Sequence, residues 1–239
     1  MQHPVSPGAL AIPGPFQHEL VHTRGTRLHA ATAGNPRAPF VLLLHDALGG
    51  WFDFLRLIPL LSADFHVAAA TARGFGQSDK PPSGYTIRFA VGDAAGLIGA
   101  LGHEDAVVVA HGSATRAATT LAANYPERVQ RLILIDPLGR NNLWTVRRNQ
   151  ALARVSSRVP QRVARKSLLD PTESSELVEL RSLAYQVGGT HAARLKHTRL
   201  PLAPLPINWH STAQQPTSTL HGMPQWYSPE ECAATIIQV

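Results

Sequence analysis

The segment Ala110-His111-Gly112-Ser113-Ala114 follows a run of apolar residues and precedes a stretch with helical spacing. A sharp strand-to-helix turn in that setting can expose one central side chain for nucleophilic attack, provided small residues flank it so that strand and helix pack closely. The register with small residues on both flanks centres Gly112. Centring Ser113 instead would put His111 and Thr115 at the tight positions. The turn is therefore readable, but its apex carries no nucleophile. Other chemistries lack their residues. The twelve histidines contain no H-E-x-x-H pair and no tight His/Asp cluster, and Cys232 stands alone, so neither a metal site nor a disulfide framework is expected. Gly74-Phe75-Gly76 lacks the third glycine of a dinucleotide loop, and no phosphate-cradling G-x-x-x-x-G-K-[ST] is present. The expectation is no cofactor and no metal.

Around that corner the chain alternates short apolar runs with helical spacing. Residues 40–44, 66–72, 106–109 and 132–135 read as strands without polar alternation, whereas 52–61, 87–101 and 114–123 read as helices. Unalternating strands separated by helices predict a mostly parallel sheet buried on both faces, in a three-layer α/β fold. Ligands of such sheets lie at the carboxyl ends of the strands. That draws attention to residues 45–50, 73–79, 110–114 and 136–139. Beyond Asp136 the pattern weakens. Residues 142–166 suit one or two amphipathic helices and 172–183 another, with Thr172 as N-cap; the three prolines of 201–206 exclude a regular strand interior. Ser228-Pro229-Glu230-Glu231 opens a terminal helix, with Ser228 at the N-cap and Glu231 in a capping box.

The 239 residues are 44% hydrophobic and 16% charged, enough for one sizeable core and too apolar for a disordered chain. No apolar run approaches the ~20 residues of a spanning helix, and the first fifteen residues hold no Lys or Arg, so a cytoplasmic protein without a membrane span is expected. The formal net charge is +6, and residues 140–166 hold eight basic groups and no acid. That stretch could meet an anionic surface. Without aromatic side chains regularly interleaved it reads better as a solvated face, so a small-molecule substrate or ligand is the expected partner and nucleic acid is not.

Several segments together resemble the α/β-hydrolase family, in its epoxide-hydrolase-like branch. Leu42-Leu43-Leu44-His45 is similar to the strand entering that family's His-Gly oxyanion loop. Residues 73–81, Arg-Gly-Phe-Gly-Gln-Ser-Asp-Lys-Pro, resemble its R-G-x-G-x-S-D-K-P turn. Tyr125-Pro126-Glu127-Arg128-Val129 with residues 132–136 resembles its approach to the sixth strand, and Met223-Pro224-Gln225-Trp226 the stretch after its catalytic histidine. The resemblance implies a core from residues 1–139 and 201–239 with a small helical lid over 140–200. It also implies hydrolysis of a small, mostly apolar epoxide or ester; the alternative is a catalytically silent fold that binds such a molecule. The departures fall on the chemistry: the family's nucleophile corresponds to Gly112, its oxyanion-loop glycine to Asp46 and its catalytic histidine to Gly222, with His221 one place early. Ser113 stands where the family's backbone N–H serves the oxyanion hole beside an amide of the first loop, here Ala47. In family order the remaining catalytic candidates are Ser113, Asp136 and His221, with His45, Asp46, Ala47 and Gly112 around the oxyanion hole. Each catalytic candidate also has a plain structural reading: a polar residue in a first helical turn, a strand-end acid capping a loop, and a loop histidine. No stretch between residues 199 and 220 reads as the last strands or the triad acid.

Overall fold

The computed structural model describes residues 5–47, 49–137, 175–190, 192–193, 215–220 and 229–237. Its strands are β1 (Gln17–Thr23), β2 (Thr26–Ala33), β3 (Phe40–Leu44), β4 (His66–Ala70), β5 (Ala106–His111), β6 (Val129–Ile135) and β7 (Thr217–Leu220). Its α-helices are α1 (Leu57–Leu61), α2 (Ile87–Ala100), α3 (Thr115–Asn124), α4 (Ser175–Gln186) and α5 (Pro229–Ile237). The strands form one sheet in the order β1-β2-β4-β3-β5-β6-β7. β3, β4, β5, β6 and β7 run parallel, and β1 and β2 are added antiparallel at one edge.

The central strands are apolar through their middles because both faces are covered there, with polar residues (His66, His111, Gln130, Arg131) kept to their ends, and their side chains divide by the period of two. Val41, Leu43, Val67, Val107, Val109, Ile133 and Ile135 face one core, which Trp51, Phe54, Ile58, Leu177 and Ile236 complete. Leu42, Ala68, Val108, Ala110, Leu132 and Leu134 face the other, against Val91, Leu97 and Ile98 of α2 and Ala118 and Leu121 of α3. At roughly 25 cal/mol per Å2 of apolar surface removed from water, these two layers are the main source of stability.

Three strands come in addition to those expected. β1 and β2 form a hairpin, with Thr23 paired to Thr26 across Arg24 and Gly25 at φ 45° and 80°. Two positive φ values suit the right-handed twist of the strands, and glycine takes the second without strain. β7 is built from Thr217-Ser218-Thr219-Leu220 and pairs with β6, within a region where no strand was expected. The helix expected over 52–61 is instead a 3-10 turn, Trp51–Phe54, followed by the short α1. Residues 142–166 and 201–206, with the proposed caps Thr172 and Ser228, lie outside the described residues.

Candidate active site

Strand register sets the geometry. Leu44 pairs with Ala110, His111 with Ile135, and Ile135 with Leu220. Two steps past the first pair Asp46 comes level with Gly112, and one step past the second Gly112 comes level with Asp136, so the three lie in a row along the carboxyl edge of the sheet. Asp136 takes a positive φ of 44°, and its N–H donates to Leu220 O at 2.9 Å, tying the ends of β6 and β7 together. The chain leaves β7 at this edge immediately before His221, which lies outside the described residues.

At the apex Gly112 has φ +56°, and α3 is entered through a 3-10 turn over Gly112–Ala114. The left-handed backbone of a sharp strand-to-helix corner is therefore present, and glycine takes it without strain. Its side-chain space is filled from another strand: a Cβ built on Gly112 would lie 2.5 Å from Asp46 Oδ1 and 2.7 Å from its carboxyl carbon. Ser113 N–H donates to Asp46 Oδ1 at 2.7 Å, and Ala47 N–H donates to Ser113 Oγ at 2.9 Å. Both amides expected to receive an oxyanion thus have acceptors within the protein. Burial opposes the charge on Asp46. Nearby His111, the Ser113 hydroxyl and the backbone amides of Ser113 and Ala47 outweigh that penalty and hold its carboxyl below the ordinary carboxylate value. Asp46 is therefore ionised at neutral pH, half-buried at the first turn of α3, where the helix dipole favours an anion. His111 is buried, and its Nδ1 has no hydrogen-bond partner.

His45 serves the loop. Ala72 N–H donates to its Nε2 at 3.0 Å, so the proton is on Nδ1, which donates to Asp46 O at 2.6 Å. With both ring nitrogens bound to backbone, His45 pins the loop that carries Asp46 to the end of β4. The turn at residues 73–79 is likewise a latch: Ser78 Oγ donates to Thr71 O at 2.7 Å and accepts from His29 N–H at 2.9 Å, while Asp79 takes the Arg27 backbone N–H at 2.8 Å. A concavity of about 270 Å3, including the solvent at its mouth, adjoins the Asp46 loop between Leu10, Gly50, Trp51, Phe52, Phe75 and Ala184. Asp46, Gly112 and Ser113 are not among its walls. Behind it, Arg181 of α4 pairs with Asp53 at 3.0 Å, both almost wholly buried, at 2% and 0% exposed. Asp53 also accepts the Gly50 N–H at 3.3 Å. Sequence reasoning missed this pair, because the partners lie 128 residues apart and neither sits in a motif. No group of three or more metal-ligating side chains occurs among the described residues.

Comparison with known proteins places this geometry. A family model described as alpha/beta hydrolase fold matches residues 40–214, and the chain belongs to that family. Epoxide hydrolase B of Mycobacterium tuberculosis is 36% identical over 116 residues, 46% of this chain and 33% of that protein. The AB hydrolase superfamily protein YfhM of Bacillus subtilis is 36% identical over 121 residues, 49% of this chain and 42% of its own. The matched stretch thus spans between a third and about two fifths of these relatives. Among solved structures, epoxide hydrolase A from Mycobacterium thermoresistibile superposes with a TM-score of 0.75 at 20% identity, covering 93% of this chain and 97% of that one. Cfl2 from Burkholderia cenocepacia gives 0.78 at 18%, covering 100% and 99%. The fold and the epoxide-hydrolase-like branch agree with the expectation from sequence. No helix among the described residues is long and apolar enough to cross a membrane.

Proposed function

We propose that the protein is an epoxide-hydrolase-like enzyme that opens a small, mostly apolar epoxide at the carboxyl edge of β3, β5 and β6, beneath a lid formed by residues 140–200. The observation that carries this reading is the Gly112 corner: a φ of +56° kept at the entry to α3, with the Ser113 amide bound to an ionised carboxylate. It favours an epoxide over an ester. Acyl transfer develops charge on a carbonyl oxygen that needs free donors, and here the Ala47 and Ser113 amides are already engaged. Epoxide opening develops charge on the ring oxygen and makes no such demand in its first step. Ser113 also fits poorly as a nucleophile, since its hydroxyl is held between the Ala47 amide and the Asp46 carboxylate. In this reading Asp136 positions the end of β6, and His221 supplies the base for the hydrolytic step.

The second reading, a silent fold that binds a small apolar molecule, is favoured by Gly112 itself, because a lost nucleophile ordinarily costs orders of magnitude in rate. The test is turnover of styrene oxide and of short p-nitrophenyl esters by the wild type and by Ser113→Ala. Diol formation that survives Ser113→Ala, with esters at the buffer rate, is the expected result. Ester turnover abolished by Ser113→Ala would make it an acyl hydrolase, and no turnover of either class would leave the binding reading.

A further inference from the structure

We infer that Asp46 is the nucleophile, a carboxylate delivered to the apex of the turn from the end of β3 instead of from β5. The inference rests on the epoxide reading above and names the atom that performs it. Three observations converge on Asp46. Its Oδ1 lies 2.5 Å from where a Cβ on residue 112 would stand, so the carboxylate fills the volume that a side chain at the apex would fill. Its Oδ1 accepts the Ser113 N–H at 2.7 Å, which leaves Oδ2 as the oxygen outside that bond. Its loop is fixed from behind, since His45 donates to the Asp46 carbonyl while receiving the Ala72 amide. Gly112 is then not merely a missing group. The absence of a side chain there is the condition for Asp46 to reach the site, because any Cβ would collide with it.

The steps balance with water as the only co-reactant. Oδ2 attacks an epoxide carbon; its electron pair forms the ester C–O bond, and the ring C–O pair passes to the ring oxygen, which takes a proton from water. The ester carbonyl oxygen is then Oδ1, already on the Ser113 N–H. Water, or the hydroxide left by the first step, adds to the carboxyl carbon, and the negative charge that develops on Oδ1 is held by that amide. Collapse expels the diol oxygen, which takes up the remaining proton and regenerates the carboxylate. One epoxide and one water give one 1,2-diol.

The test is mass spectrometry of the full chain quenched in acid after exposure to excess styrene oxide, with tandem localisation of the adduct and the diol measured in parallel. The expected result is one adduct on Asp46 in the wild type and none in Asp46→Asn. In the double variant Asp46→Gly, Gly112→Asp, the adduct moves to position 112, which also guards against a single variant that fails to fold. An unmodified Asp46 in the wild type, or an adduct elsewhere, overturns the assignment. Diol formed without an Asp46 adduct overturns it while leaving the epoxide reading intact. An Asp46 adduct without diol upholds the reactive carboxylate and removes turnover from the proposed function.

Discussion

Gly112 and Asp46 compete for one volume, and the competition can be measured as stability. Alanine at position 112 must hold a φ of +56°, at a cost of roughly 1–2 kcal/mol for a residue with a Cβ, and must also displace a carboxylate oxygen 2.5 Å away. Gly112→Ala is expected to lose about 2–3 kcal/mol in urea unfolding. In an Asp46→Gly background the collision is gone, and only the backbone part of the cost remains. A double-mutant cycle should therefore show clear non-additivity, and additive losses would mean that the two groups do not touch. Ser113→Ala removes the acceptor for the Ala47 N–H, an exposed amide that water can satisfy, and the hydroxyl beside the half-buried Asp46 carboxylate, which keeps the Ser113 N–H, so the loss in urea unfolding should stay at the roughly 1 kcal/mol of one hydrogen bond.

Helix α4 is attached to the core by a buried ion pair. Arg181→Met would leave the Asp53 carboxylate buried without its cation, and removing one partner of such a pair costs about 3–5 kcal/mol. Removing both, in Asp53→Ala with Arg181→Met, should cost less than Arg181→Met alone, which urea unfolding of the three proteins would show. This contact was invisible in the sequence, because its partners lie 128 residues apart on two separate helical elements. The central strands were readable because burial on both faces makes Phe40–Leu44, and β5 up to Ala110, unbroken apolar runs. β7 was not, because it is four residues long, mostly Ser and Thr, and half-buried. The β1–β2 hairpin escaped because its histidines, threonines and charged residues mask the alternation, and its turn is Arg-Gly instead of a stronger hairpin pair. At the site, the corner and the vacant apex could be read from Ala110-His111-Gly112-Ser113-Ala114. The entry of Asp46 into that vacancy could not, since it depends on the register of β3 against β5.

The whole molecule carries a pH dependence in its buried histidines. His29 bridges His18 at 2.8 Å and Thr71 at 3.0 Å, and burial, reinforced by His18, pushes its pKa down to about 3. Burial, with the neighbouring His103, also lowers His66, and burial lowers His103. These groups bind protons more readily in the unfolded chain, whose histidines titrate near 6.5. Their contribution is complete above that value and declines as pH falls from about 6.5 toward 3, with His29 alone worth on the order of 4 kcal/mol across the window. The urea midpoint should be level between pH 7 and 8 and fall steadily below about 6.5; a midpoint unchanged down to pH 4 would contradict the burial assigned to His29. The central claim is that the sheet's carboxyl edge still performs covalent chemistry through a carboxylate of the protein. It is tested most directly by a single turnover of styrene oxide, with protein in excess, in water labelled with heavy oxygen. The account predicts a first diol whose new oxygen is unlabelled, because it came from Asp46, with the label then found in the Asp46 carboxylate. A first diol carrying the heavy oxygen, or no diol at all, would contradict it.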